Sequence, residues 1–122
     1  GIIPAVISPY VLRAIGPRHA LRYFQSAERF GAAEAKVMGL VNEVVTLDAL
    51  DTAVDRLVQA LLACGPQAQL AAKQLIAALS GRRIDDAVSE ETATRIARQR
   101  ATAEAREGFA AFFEKRPPAW MA

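Results

Sequence analysis

The chain of 122 residues carries 15 Lys and Arg against 13 Asp and Glu, a formal net charge of +2, and 52% of its residues are hydrophobic. That is apolar enough for one ordinary cored domain and excludes intrinsic disorder, while the near-neutral balance argues against a strong nucleic-acid surface. A lone Cys64 excludes an internal disulfide framework and fits a reducing compartment, and no apolar run approaches the roughly 20 residues that span a bilayer.

The sequence opens on Gly1-Ile2-Ile3-Pro4, apolar at once and without an initiator Met, and reads as a piece of something longer. Alanine supplies about a fifth of the residues, with Leu, Gln, Glu and Arg around it, so helices are expected throughout. Ser8-Pro9 suits a helix start, and Gly16-Pro17 stops that helix about two turns on and opens a second through Ala20, Leu21, Tyr23 and Phe24. Gly31 with Glu34 predicts a third start, ended by Gly39. Leu40-Val41-Asn42-Glu43-Val44-Val45 alternates and is β-branched, which predicts a short strand. One strand cannot satisfy its own backbone, so its partner must lie in missing chain or in another copy.

From Leu47 to Ala63 the spacing of Leu50, Val54, Leu57, Val58, Leu61 and Leu62 predicts an amphipathic helix. Gly65-Pro66 restarts the chain into another, through Leu79. The longest helix is expected over about Ile84 to Ala105, with acids (Asp85, Asp86, Glu90, Glu91) toward its start and Arg95, Arg98 and Arg100 toward its end, matching the helix dipole. A last short helix, near Arg106 to Lys115, carries Phe109, Phe112 and Phe113, and Pro117-Pro118 closes regular structure.

Candidate chemistry is sparse. His19 has no local carboxylate or nucleophile to work with and reads as a solvated surface residue. Cys64 lies at a helix C-terminus, the wrong polarity for activating a thiol, and reads as a buried or half-buried structural residue. With one His and one Cys there is no metal-ligand spacing. Adjacent acids on a helix diverge by about 100°, so Asp85-Asp86 and Glu90-Glu91 do not form an acid–base pair. The stretch Phe112-Phe113-Glu114-Lys115-Arg116 is different: cations beside an aromatic shelf suit a flat ring carrying phosphates, although taken alone an aromatic core with a dipole-matched basic end explains it better.

Four segments carry a family resemblance: Gly1-Ile2-Ile3-Pro4, Ala27-Glu28-Arg29-Phe30 through Ala35, Gly39-Leu40-Val41-Asn42-Glu43-Val44-Val45, and Arg106-Glu107-Gly108 through Phe112-Phe113-Glu114-Lys115-Arg116-Pro117. In order and spacing they resemble the crotonase superfamily, enoyl-CoA hydratases above all, and Pro4 to Val11 resembles its methylglutaconyl-CoA hydratase branch. The resemblance implies a mainly α fragment with one short strand: residues 1–45 as the end of the spiral ββα domain, residues 46–122 as the helical oligomerisation region. It implies an intact enzyme that adds water to a 2-enoyl-CoA, with the two catalytic glutamates and both oxyanion donors outside this chain, so that the chain alone is inactive. An enoyl-CoA isomerase and a non-catalytic helical assembly module are the alternatives.

By resemblance Ala5 supplies a backbone N–H that helps hold the catalytic water, Lys115 reaches the phosphates of coenzyme A, and Phe112 lines its adenine end. Ile96 stands where relatives carry an aromatic residue facing a neighbouring subunit's CoA site, and the substitution weakens that contact. The implied partners are an acyl-CoA substrate and further copies of the chain, as a trimer, a dimer of trimers or a swapped dimer. Neither nucleic acid nor membrane is expected as a partner, no cofactor is expected beyond the coenzyme A of the substrate, and the implied location is cytoplasmic.

Overall fold

A computed structural model describes residues 1–121. The chain is mainly helical and divides into two compact units, residues 1–50 and residues 51–122. In the first unit, α1 (Ser8–Ser26) is two helices joined at a sharp bend. Gly16 takes φ 73°, ψ 165° there, a region closed to side chains by Cβ clashes, and Pro17 starts the next helix with its fixed φ. The bend folds the two halves against one small core of Ile15, Ala20 and Met38, with Val11, Tyr23 and Phe24 packed around it. α2 (Ala32–Val37) follows Gly31 and ends at Gly39, which has φ 80°. Tyr23 meets Phe30 edge-to-face at 4.8 Å between ring centres.

The expected strand at Leu40 to Val45 does not form, and no strand occurs among the described residues. The backbone carries no ladder there. Alternation and β-branching favour extended chain, but a strand exists only when a neighbour accepts and donates its backbone hydrogen bonds.

The second unit opens on α3 (Leu50–Leu62), continuing a single 3-10 turn at Leu47–Ala49, and its apolar stripe of Val54, Leu57, Val58, Leu61 and Leu62 is exposed. α4 (Pro66–Leu79), α5 (Asp86–Arg100) and α6 (Ala103–Glu114) pack on one another. Asp85 caps α5: its Oδ1 accepts the Val88 N–H at 2.9 Å. Glu91 pairs with Arg95 one turn on and with Arg82 from the preceding loop. The long helix expected to run to Ala105 stops at Arg100 instead. Thr102 turns the chain, its hydroxyl donating to the Gln99 carbonyl at 2.8 Å and accepting the Ala105 N–H at 3.1 Å, so it closes α5 and caps α6. A side-chain oxygen that serves both ends in this way competes with helix continuation.

Candidate functional site

The second unit contains an apolar groove of about 540 Å3 where α5, α6, the start of α4 and the C-terminal segment meet. Ile96 and Gln99 come from α5, Glu104, Gly108, Phe109 and Phe112 from α6, and Trp120 from the short 3-10 turn at Ala119–Met121. Phe112 is 76% exposed, in an edge-to-face pair with Phe113 at 5.6 Å, and the Arg100 guanidinium lies 5.9 Å from the centre of the Phe109 ring.

Two tertiary contacts build the groove's ends. At one end the Glu104 carboxylate accepts the Gln67 and Ala68 N–H groups, each at 2.8 Å, and so caps α4 from another helix. At the other the Trp120 indole N–H donates to the Ala63 carbonyl at 3.1 Å. That bond brings the ring over Gly108, where a Cβ would lie 3.2 Å from it.

The C-terminal segment is held by one carboxylate. Glu107 accepts a two-pronged pair from Arg116, at 2.6 and 3.0 Å, and the Ala119 N–H at 2.8 Å. Arg116 also reaches Glu114 at 2.6 Å. Between them, Lys115 ends α6 in the left-handed conformation, φ 55° and ψ 39°, with the Arg116 N–H closing on the Ala111 carbonyl at 3.0 Å. Glycine is the usual residue at such a helix end, because a Cβ there costs roughly 1 kcal/mol.

The Arg116 guanidinium, and after it the Ala119 N–H, hold the Glu107 carboxyl down to about 2 from an ordinary 4.5. A carboxyl depressed by folding stabilises above the unfolded pKa and loses that stabilisation as pH falls through the folded one. The melting-temperature gap between the full-length protein and its Glu107→Gln variant is therefore expected to be widest at pH 6 and to narrow steadily as the pH is taken from 4.5 towards 2.5. Because the pair is solvent-accessible, added salt should shrink the gap as well. A gap that stays constant across that range would refute the assignment.

Among the residues singled out from sequence, the structure brings Ile96 and Phe112 to the same groove, with Lys115 one turn beyond Phe112 on α6. Ala5 belongs to the first unit, exposed, its N–H donating to the Ile3 carbonyl at 2.8 Å across Pro4. His19 Nδ1 is bonded to the Ile15 carbonyl at 2.9 Å, one turn back on its own helix, and Cys64, expected to be at least half-buried, is exposed, 3.3 Å from the Ala60 carbonyl. Sequence reasoning missed Glu104, Glu107, Thr102 and Trp120. The Glu107-to-Arg116 spacing of nine residues carries no helical signal, and Trp120 meets Ala63 across 57 residues.

A crotonase-type helical region is what this fold defines, and comparison with known proteins agrees. The enoyl-CoA hydratase/isomerase family model matches residues 1–122. A proposed enoyl-CoA hydratase of Thermus thermophilus is 31% identical over 118 residues, which is 97% of this chain and 46% of that protein. The crystal structure of an enoyl-CoA hydratase from Shewanella pealeana is 45% identical with a TM-score of 0.90, over 98% of this chain and 44% of that one. A proposed enoyl-CoA hydratase/isomerase (crotonase) from Legionella pneumophila is 40% identical with a TM-score of 0.91, over 98% of this chain and 46% of that one. The chain belongs to the enoyl-CoA hydratase/isomerase family. It spans slightly less than half the length of these relatives and so corresponds to part of a larger fold. No helix among the described residues is long and apolar enough to cross a membrane.

Proposed function

We propose that the protein carrying this chain is an enoyl-CoA hydratase, adding water across the 2,3 double bond of a 2-enoyl-CoA in a reducing, cytoplasmic setting. The observation that carries the reading is the family match over residues 1–122, supported by the likeness to a structurally determined hydratase at 45% identity. On this reading residues 1–45 close the spiral domain and residues 46–122 form the helical region that binds CoA and neighbouring subunits. The Ala5 N–H, here donated to the Ile3 carbonyl, turns to the reacting water, Lys115 meets the CoA phosphates, and Phe112 lines the adenine end with Ile96 nearby. Glutamates outside the chain activate the water, and the chain by itself is inactive. The resemblance of Pro4 to Val11 to methylglutaconyl-CoA hydratases favours a branched or dicarboxylic acyl group.

The test is direct. Full-length protein should remove the conjugated thioester absorbance of a 2-enoyl-CoA and yield the 3-hydroxyacyl-CoA, with faster turnover on a methylglutaconyl-type substrate than on a short straight chain. Lys115→Ala should raise KM for the CoA ester about fivefold to tenfold, the scale of one lost charge-assisted contact, with kcat nearly unchanged. Unchanged KM would remove Lys115 from the site. The hydratase/isomerase description of the family and of the Legionella relative supports a second reading, double-bond isomerisation. A 3-enoyl-CoA converted to the 2-enoyl form with no hydroxyacyl product would select it.

A further inference from the structure

We infer that Glu107 is a positioning residue for Lys115: its carboxylate locks the turn that sets where the lysine's charge is presented. The inference rests on the reading that Lys115 meets the phosphates of coenzyme A. Lys115 occupies a left-handed helix end where glycine would sit without strain, so its side chain is kept against a conformational cost. A residue in that conformation holds one direction only if the chain on both sides is fixed. The preceding side is α6 itself, and the following side is tied back onto α6 by one group. Glu107, two turns earlier on α6, grips Arg116 through two hydrogen bonds and takes the Ala119 N–H on its Oε1. Pro117 and Pro118, whose φ is preset, span the gap between those two anchors.

The clamp also sorts the two cations. Arg116 is committed to Glu107 and Glu114, whereas Lys115 is exposed and engaged by neither carboxylate. Glu107 itself carries the wrong charge to meet a phosphate, so whatever it contributes to affinity passes through the turn.

A double-mutant cycle on CoA binding to the full-length protein, followed by calorimetry, separates this role from general support of the fold. Lys115→Ala is expected to weaken CoA binding about tenfold and Glu107→Gln by about threefold to tenfold. The double variant should bind no more than about twofold worse than Lys115→Ala alone, because without the lysine there is nothing left to position. Losses that multiply in the double variant would overturn the inference and make Glu107 a structural residue. An effect of Lys115→Ala without one of Glu107→Gln would overturn it while leaving the lysine reading intact. No effect of Lys115→Ala would overturn both. Arg116→Met opens the clamp from the other side and carries the same expectations should Glu107→Gln not fold.

Discussion

Expressed by itself at micromolar concentration, this chain is expected to show helical circular dichroism but no sharp melting transition, to bind a hydrophobic dye strongly, and to self-associate. The argument is one of area. Its accessible surface is 10153 Å2 for 13.1 kDa. A compact monomer of that mass exposes about 6,400 Å2, and two separate compact bodies with the sizes of its two units would expose only about 7,700 Å2 together. If half of the remaining excess of about 2,500 Å2 is apolar, the burial forgone is about 30 kcal/mol at about 25 cal/mol per Å2, well above the 5–15 kcal/mol by which domains are usually stable. The residues say the same. Ile2 is 97% exposed, Val6 91% and Leu47 88%, and the stripe of α3 faces no core, whereas the buried apolar side chains among the described residues are Ile15, Ala20, Ala35, Met38, Val88 and Ala111. A monomer in sedimentation with a cooperative melt and no dye binding would show that the area argument fails. Adding the rest of the natural sequence should restore a sharp transition.

The same contrast explains what could be read from sequence. Helix starts at Pro9, Pro17 and Pro66 and the bend at Gly16 were legible because proline fixes φ and removes a donor, and glycine alone takes φ 73° cheaply; these are properties of single residues. The stop at Thr102 was not legible. Threonine inside an alanine-rich helical run is unremarkable until its hydroxyl is seen bonding both Gln99 and Ala105. Residues 40–45 read wrongly as a strand, since pairing belongs to two segments and the sequence speaks for one. The groove was half legible. Ile96 and Phe112 each fall on a helix face readable from local pattern, whereas Trp120 and Glu104 join it through contacts that span 37 to 57 residues. Side-chain periodicity reports the face a helix buries and says nothing about which distant group will cap it.

Gly65→Ala should cost about 1–2 kcal/mol, although glycine is not required there by conformation. Gly65 has φ −60° and ψ 126°, ordinary extended backbone open to any residue. A side chain there must push the Glu104 carboxylate aside, because an added Cβ would stand 2.8 Å from the Glu104 Cδ and closer still to one carboxylate oxygen. Position 65 is the N-cap of α4, where serine or aspartate would normally accept the first free N–H groups. Here the cap arrives from α6, as Glu104 accepts from Gln67 and Ala68, and its negative charge also suits the positive end of the helix. The methyl therefore acts by displacing the carboxylate, and its cost is the loss of hydrogen bonds that involve a charge. Glu104→Ala alone should cost about the same, since it removes the same cap. In that background Gly65→Ala should become nearly neutral and Gly65→Ser should return about 1 kcal/mol by restoring a local cap. Denaturant unfolding of the full-length protein at one fixed concentration measures all four variants. Equal costs for Gly65→Ala with and without Glu104 would mean that the two groups do not compete for the same space, and the account of α4's cap would have to be abandoned.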